Sequence, residues 1–123
     1  MKLFINTNLN DDQVEIALSD DKSGVVFKKV FTAKHCQAEK LLLEIDKLLK
    51  KNKLVLADID NIEVENRGDG FTSLRIGVMT ANALGYALGI AVEGKVKSKN
   101  NSSIVKPIYS QNPNISKAKK KLL

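Results

Sequence analysis

Between Ile76 and Val92 the chain runs for 17 residues without a charge, IGVMTANALGYALGIAV, with glycines at 77, 85 and 89. A stretch this apolar must be buried, and its residue types decide how. Lacking any β-branched run, it suits a helix over Thr72–Leu88 that stops at Gly89, a residue type that readily takes the left-handed conformation ending many helices. Ser73, Gly77, Ala81 and Gly85 recur at every fourth position. They leave a strip of helix backbone almost without side-chain cover, so whatever lies over it approaches closely and gains dispersion contacts. Leu74, Val78, Ala81 and Leu88 can face one way, while Met79, Ala83, Tyr86 and Ala87 spread round the remainder. Three readings are open: packing within the chain, an interface with a partner, or a membrane span. A span needs about 20 apolar residues. Thr80, Asn82 and four alanines make this segment short and weakly hydrophobic by that measure.

The remaining sequence supplies an α/β pattern. Lys2–Thr7 reads as a short buried strand, and Gln13–Ser19 alternates, with Val14, Ile16 and Leu18 on one face. Asp20–Gly24 is turn chemistry, and Val25–Phe31 follows as a third strand of an antiparallel meander. The period then changes. Over Ala38–Lys50, Leu41, Ile45, Leu48 and Leu49 form a helical stripe that Ala38 and Leu42 widen, with Leu43 off it. Ile62 and Val64 mark a fourth strand and Ile90–Val92 a fifth. The order βββαβαβ predicts a mixed five-stranded sheet with covering helices. Ile104–Tyr109 reads as a last strand interrupted by Pro107.

A length of 123 residues, 43% hydrophobic and 28% charged, fits one globular domain. One cysteine (Cys36) and one histidine (His35) exclude an intramolecular disulfide and a conventional zinc site. As sequence neighbours, they read as incidental rather than as a nucleophile and its base. The net charge of +6 is unevenly placed: residues 1–93 carry 12 basic and 14 acidic side chains, and residues 94–123 carry eight lysines and no acid. The tail could meet RNA through counterion release. No aromatic residues alternate with these lysines to give bases a stacking platform, and the tail otherwise reads as a solubilising end. The loop at 66–70 reads as a turn, since Asp69 would repel a phosphate. The carboxylates, Glu44, Asp46, Glu63 and Glu65 among them, read as solvated surface charge. The N-terminal MKLFINTN contains no long apolar stretch of a secretory signal, which points to the cytoplasm. Composition and spacing alone indicate no enzyme.

At Gly68–Ile90 the run GDGFTSLRIGVMTANALGYALGI resembles the TsaB (YeaZ) family, in which GPGSFTGLRIG precedes a small-residue helix and LGI. Phe71, Thr72, Leu74, Arg75, Ile76 and Gly77 carry the match, followed by Leu88, Gly89 and Ile90. LFINTN (Leu3–Asn8) stands where the family has a first strand like LAIDTS. AEKLLLEIDKLL (Ala38–Leu49) resembles SERLLPxIxxLL, and KPIYSQNPNIS (Lys106–Ser116) is similar to the closing PxYxRxPxA. The resemblance covers about residues 2–92 and 105–116. It implies a single actin/Hsp70-like (RNase-H-like) lobe at 1–93, reduced by the loss of most of the second lobe. A linker at 94–103 would replace that lobe, with a terminal segment at 104–116 packing back and a basic tail at 117–123.

What the resemblance implies for function is a non-catalytic scaffold. TsaB-like proteins pair with TsaD, which transfers threonylcarbamoyl to adenosine 37 of ANN-decoding tRNAs; TsaE joins them, and TsaB also pairs with itself. By position, the partner surface would use Ala38, Leu42 and Ile45 from the first helix and Ser73, Gly77, Ala81 and Gly85 from the second. Asn6, Thr7, Gly68 and Gly70 would be degenerate nucleotide-site positions. Asn6 stands where the fold wants a charged metal ligand, so no catalytic residue, metal or cofactor is expected. The alternative is a stand-alone homodimer acting as an RNA-binding or other interaction module. A tRNA contact through the lysine tail fits both readings, and no membrane is expected.

Overall fold

The computed structural model describes residues 1–9, 12–24, 26–34, 38–68, 71–95 and 108–109. Strands β1 (Lys2–Asn6), β2 (Gln13–Ser19) and β3 (Val26–Thr32) form the expected meander. Helix α1 (Ala38–Lys51) and β4 (Asn61–Val64) come next, then the two-residue β5 (Arg67–Gly68), α2 (Phe71–Leu88) and β6 (Ala91–Gly94). The main sheet has the order β3-β2-β1-β4-β6. Its β1–β2 and β2–β3 pairs are antiparallel, and its β1–β4 and β4–β6 pairs are parallel. Parallel neighbours need a crossover, and the two helices provide them.

Register decides which side of the sheet is dry. Leu3 lies opposite Leu18 and Ile62, Ile5 opposite Ile16 and Val64, and all six are fully buried on one face. Over that face α1 lays Leu41, Ile45, Leu48 and Leu49, and α2 lays Leu74, Val78 and Ala81. Each buried aliphatic side chain contributes about 1.5–3 kcal/mol. The other face carries Lys2, Phe4, Glu15, Ala17, Lys28 and Glu63 at the alternating positions. It is covered by its own long side chains: Lys2 pairs with Glu63 at 3.0 Å, Lys28 with Glu15 at 2.8 Å, and the Lys95 ammonium sits 5.8 Å from the centre of the Phe4 ring.

Helix α2 runs one residue beyond the expected start and ends at Gly89, whose φ of +66° is the left-handed conformation the sequence suggested. The 66–70 loop differs from expectation. Arg67 and Gly68 form β5, which pairs in parallel with β7 (Ile108–Tyr109). The expected last strand is thus present at its end, and residues 104–107 lie outside the described residues. So do His35, Cys36, Asp69, Gly70 and the basic tail at 117–123, as well as all but the first two residues of the expected linker. Among the described residues no helix is long and apolar enough to cross a membrane.

Candidate functional site

The first candidate region is the end of β1, where strand carbonyl ends, β5 and the start of α2 converge. The Asn6 side-chain oxygen accepts a hydrogen bond from the Asn8 amide at 2.9 Å, so the turn closes on its own chain. The Thr7 hydroxyl donates to the Ser73 carbonyl at 2.6 Å. A Cβ at Gly68 would overlap the Asn8 side-chain amide. Asn6, Thr7 and Gly68 therefore lie around one turn, where the Asn6 and Thr7 side chains are engaged by Asn8 and by α2. The depression beside Thr7, Asn8, Asp12 and Ser73 holds about 50 Å³. Pockets for small ligands run to roughly 300–1,000 Å³. Among the described residues no three His, Cys, Asp or Glu side chains are grouped to hold a metal ion.

Two carboxylates differ from the solvated state the sequence suggested. Glu44 is only 7% exposed, because α1 turns it down toward β3, where Lys29 meets it at 3.1 Å; Lys47 approaches at 3.6 Å. Burial alone would raise its pKa, but the hydrogen bond from Lys29 and the charges of Lys29 and Lys47 outweigh burial and hold the carboxyl below its ordinary value. Glu65 continues β4 beside Asn6 and has one buried oxygen, Oε2, without a hydrogen-bond partner. Its amide lies just past the end of β4 and donates to the Ile5 carbonyl at 2.8 Å.

The second candidate region is the helix layer, and here the expected partner surface needs correction. The bare strip of α2 faces the sheet. Gly77 lies on Thr7, and any Cβ there would overlap the threonine hydroxyl and crowd its methyl group; Gly85 lies on Val92 in the same way. Ala81 is fully buried, Ile45 of α1 is 2% exposed, and Ser73 is half-buried with its carbonyl engaged by Thr7. The strip lets strand side chains, rather than another helix, approach the α2 backbone. Two expected interface residues, Ala38 and Leu42, do lie outside.

What the helix layer presents outward is a different set. Met79 is 60% exposed and Tyr86 90%, and with exposed Ala83 they form one stripe of α2 at the helical period. Leu42 and Leu43 of α1 are 44% and 52% exposed. Large apolar side chains grouped on one exposed layer mark an interaction surface more often than scattered single ones do. The helix-wheel assignment of Met79, Ala83 and Tyr86 to the side away from Leu74 and Val78 was available from sequence. Among the family-motif residues, Leu74 is a core residue, while Thr72 and Arg75 are exposed.

Residues 14–94 match the family model described as TsaD, tRNA N6-adenosine threonylcarbamoyltransferase. No curated protein matches the chain. Among solved structures the chain is similar to YeaZ from Pseudomonas aeruginosa, with a TM-score of 0.68 and 23% identity over 78% of this chain and 43% of that one. A second structure is described as an uncharacterized protein with similarity to the peptidase YEAZ from Pseudomonas aeruginosa. It matches with the same score, identity and coverage of this chain, and 42% of its own length. The chain thus spans less than half the length of either protein, and what it shares with them is the α/β fold.

Proposed function

Because the chain belongs to the TsaD family of tRNA N6-adenosine threonylcarbamoyltransferases, we propose that it serves this tRNA modification as a non-catalytic, TsaB-type subunit that pairs with TsaD. The observation that carries this reading is the exposed apolar stripe Met79–Ala83–Tyr86 of α2, together with exposed Leu42 and Leu43 on α1. A helix pair with a fully packed underside and an apolar outer side suits docking against a second helix pair, and standard interfaces bury about 1,600 Å² in total. The end of β1 supports a non-catalytic role. Asn6 offers no charge to a metal, and the adjoining hydroxyl and amides are engaged by the chain itself. The reading places the protein in the cytoplasm, with TsaE as a further member of the assembly.

The test is co-expression with TsaD of the same organism, followed by size-exclusion chromatography with light scattering. A one-to-one complex is expected, and Met79→Glu with Tyr86→Glu should weaken it at least about a hundredfold, since buried aromatic and thioether anchors dominate such interfaces. A chain that ignores TsaD and elutes as a homodimer overturns the proposed partner. A complex untouched by the double substitution overturns the surface.

A further inference from the structure

The outer edge of β3 is a surface that neither the helix layer nor the end of β1 uses. The Ala33 amide donates to the Asp12 carbonyl at 2.9 Å, which fixes the phase of the β2–β3 pair. Phe27, Lys29 and Phe31 therefore direct their backbone groups at β2, and Val26, Lys28, Val30 and Thr32 direct theirs outward. The Thr32 carbonyl agrees with this phase, since it accepts from the Lys40 ammonium at 2.8 Å. Among the described residues no strand pairs with this outer side.

Exposed edges are commonly guarded by lysines that would be trapped by an incoming strand. Here the two lysines of the strand are drawn away, Lys28 to Glu15 at 2.8 Å and Lys29 to Glu44 at 3.1 Å. The ground beside the edge is nevertheless basic. Lys40, Lys47 and Lys51 share the helical face of Glu44, which with Lys40 ties α1 to β3, and all three are exposed. Val26 (59% exposed) and Val30 (46%) stand at alternate outward positions on the side of the sheet away from the helices.

We propose that β3 is the docking edge for an extended acidic segment of a partner protein, added to the sheet as a further strand. Its main chain pairs with Val26, Lys28 and Val30, its apolar side chains cover the two valines, and its carboxylates meet Lys40, Lys47 and Lys51. A second copy of this chain suits the edge poorly, because antiparallel self-pairing sets the same lysines against each other.

The probe is a synthetic seven-residue peptide alternating Glu and Val, blocked at both ends and titrated into the isotope-labelled full chain while backbone amide exchange is read. The amides of Val26, Lys28 and Val30 should slow about tenfold or more, while those of Lys29 and Phe31, already paired with β2, should not change. Lys40→Glu with Lys51→Glu, both exposed positions, should weaken binding about tenfold or more and keep the chain folded. Val30→Pro removes an outward donor that β2 does not use and should abolish the protection at its neighbours. Three results overturn the proposal: no binding of the peptide, binding that is equally strong for inorganic polyphosphate and indifferent to Val30→Pro, or edge protection that appears without peptide and rises with protein concentration.

Discussion

Thr7 and Gly77 act as one unit. The threonine sits beneath α2, with its hydroxyl on the Ser73 carbonyl, and the helix can lie that low only because position 77 has no Cβ. Gly77→Ala should cost about 1–3 kcal/mol in denaturant unfolding, the usual range for overpacking. Adding Thr7→Ala should recover part of the loss, and a double-mutant cycle measures how much. Strict additivity of the two changes would contradict the contact. Glu44 makes a second prediction, through pH. Its folded pKa lies below the unfolded one, so its contribution to stability is complete above the ordinary glutamate range and is lost as pH falls through the folded value. Glu44→Gln should therefore lower stability by about 1–2 kcal/mol at neutral pH, with the difference from the natural chain shrinking on acidification below about pH 4. A difference that stays constant from pH 7 to pH 3 would show that the Lys29 pair is not its origin.

At the level of elements, periodicity made much of the fold legible. Leu41, Ile45, Leu48 and Leu49 are the buried stripe of α1 as the spacing indicated, and the five strands of the main sheet lie within a residue or two of their expected bounds. The direction of the α2 strip was not legible. A row of small residues says only that something comes close, and in this chain the close neighbours are Thr7 and Val92 on distant strands. Sequence spacing along one helix carries no information about which other element lies over it. For the same reason Glu44 resembled a surface acid, because its partner Lys29 is contributed by β3. The two faces of α2 should therefore respond differently to charge. Ala81→Arg places a cation against the sheet and should unfold the chain or cost more than about 3 kcal/mol, read by thermal melting. Met79→Glu should leave the melting temperature within a few degrees, since its side chain already meets water. Equal effects at both sites would contradict the orientation of the helix.

Across the whole molecule, one face of the sheet is dry under two helices and the other is lined by charged side chains paired along the surface. That asymmetry follows from the alternation in β1, β2 and β4, and it leaves the central strand with antiparallel and parallel neighbours at once. The two pairings of β1 also become available at different times during synthesis. Lys2 opposes Ser19 on one side and Asn61 on the other, so one edge of β1 finds its partner early and the other waits for roughly forty further residues. At translation speeds of about 5–20 residues per second that wait lasts on the order of several seconds, long beside the microseconds in which a hairpin closes. During that time the growing chain holds a meander whose oily side is not yet roofed and whose middle strand of the finished sheet is still an edge. Whatever guards the nascent polypeptide as it leaves the ribosome must shield that strand until β4 emerges.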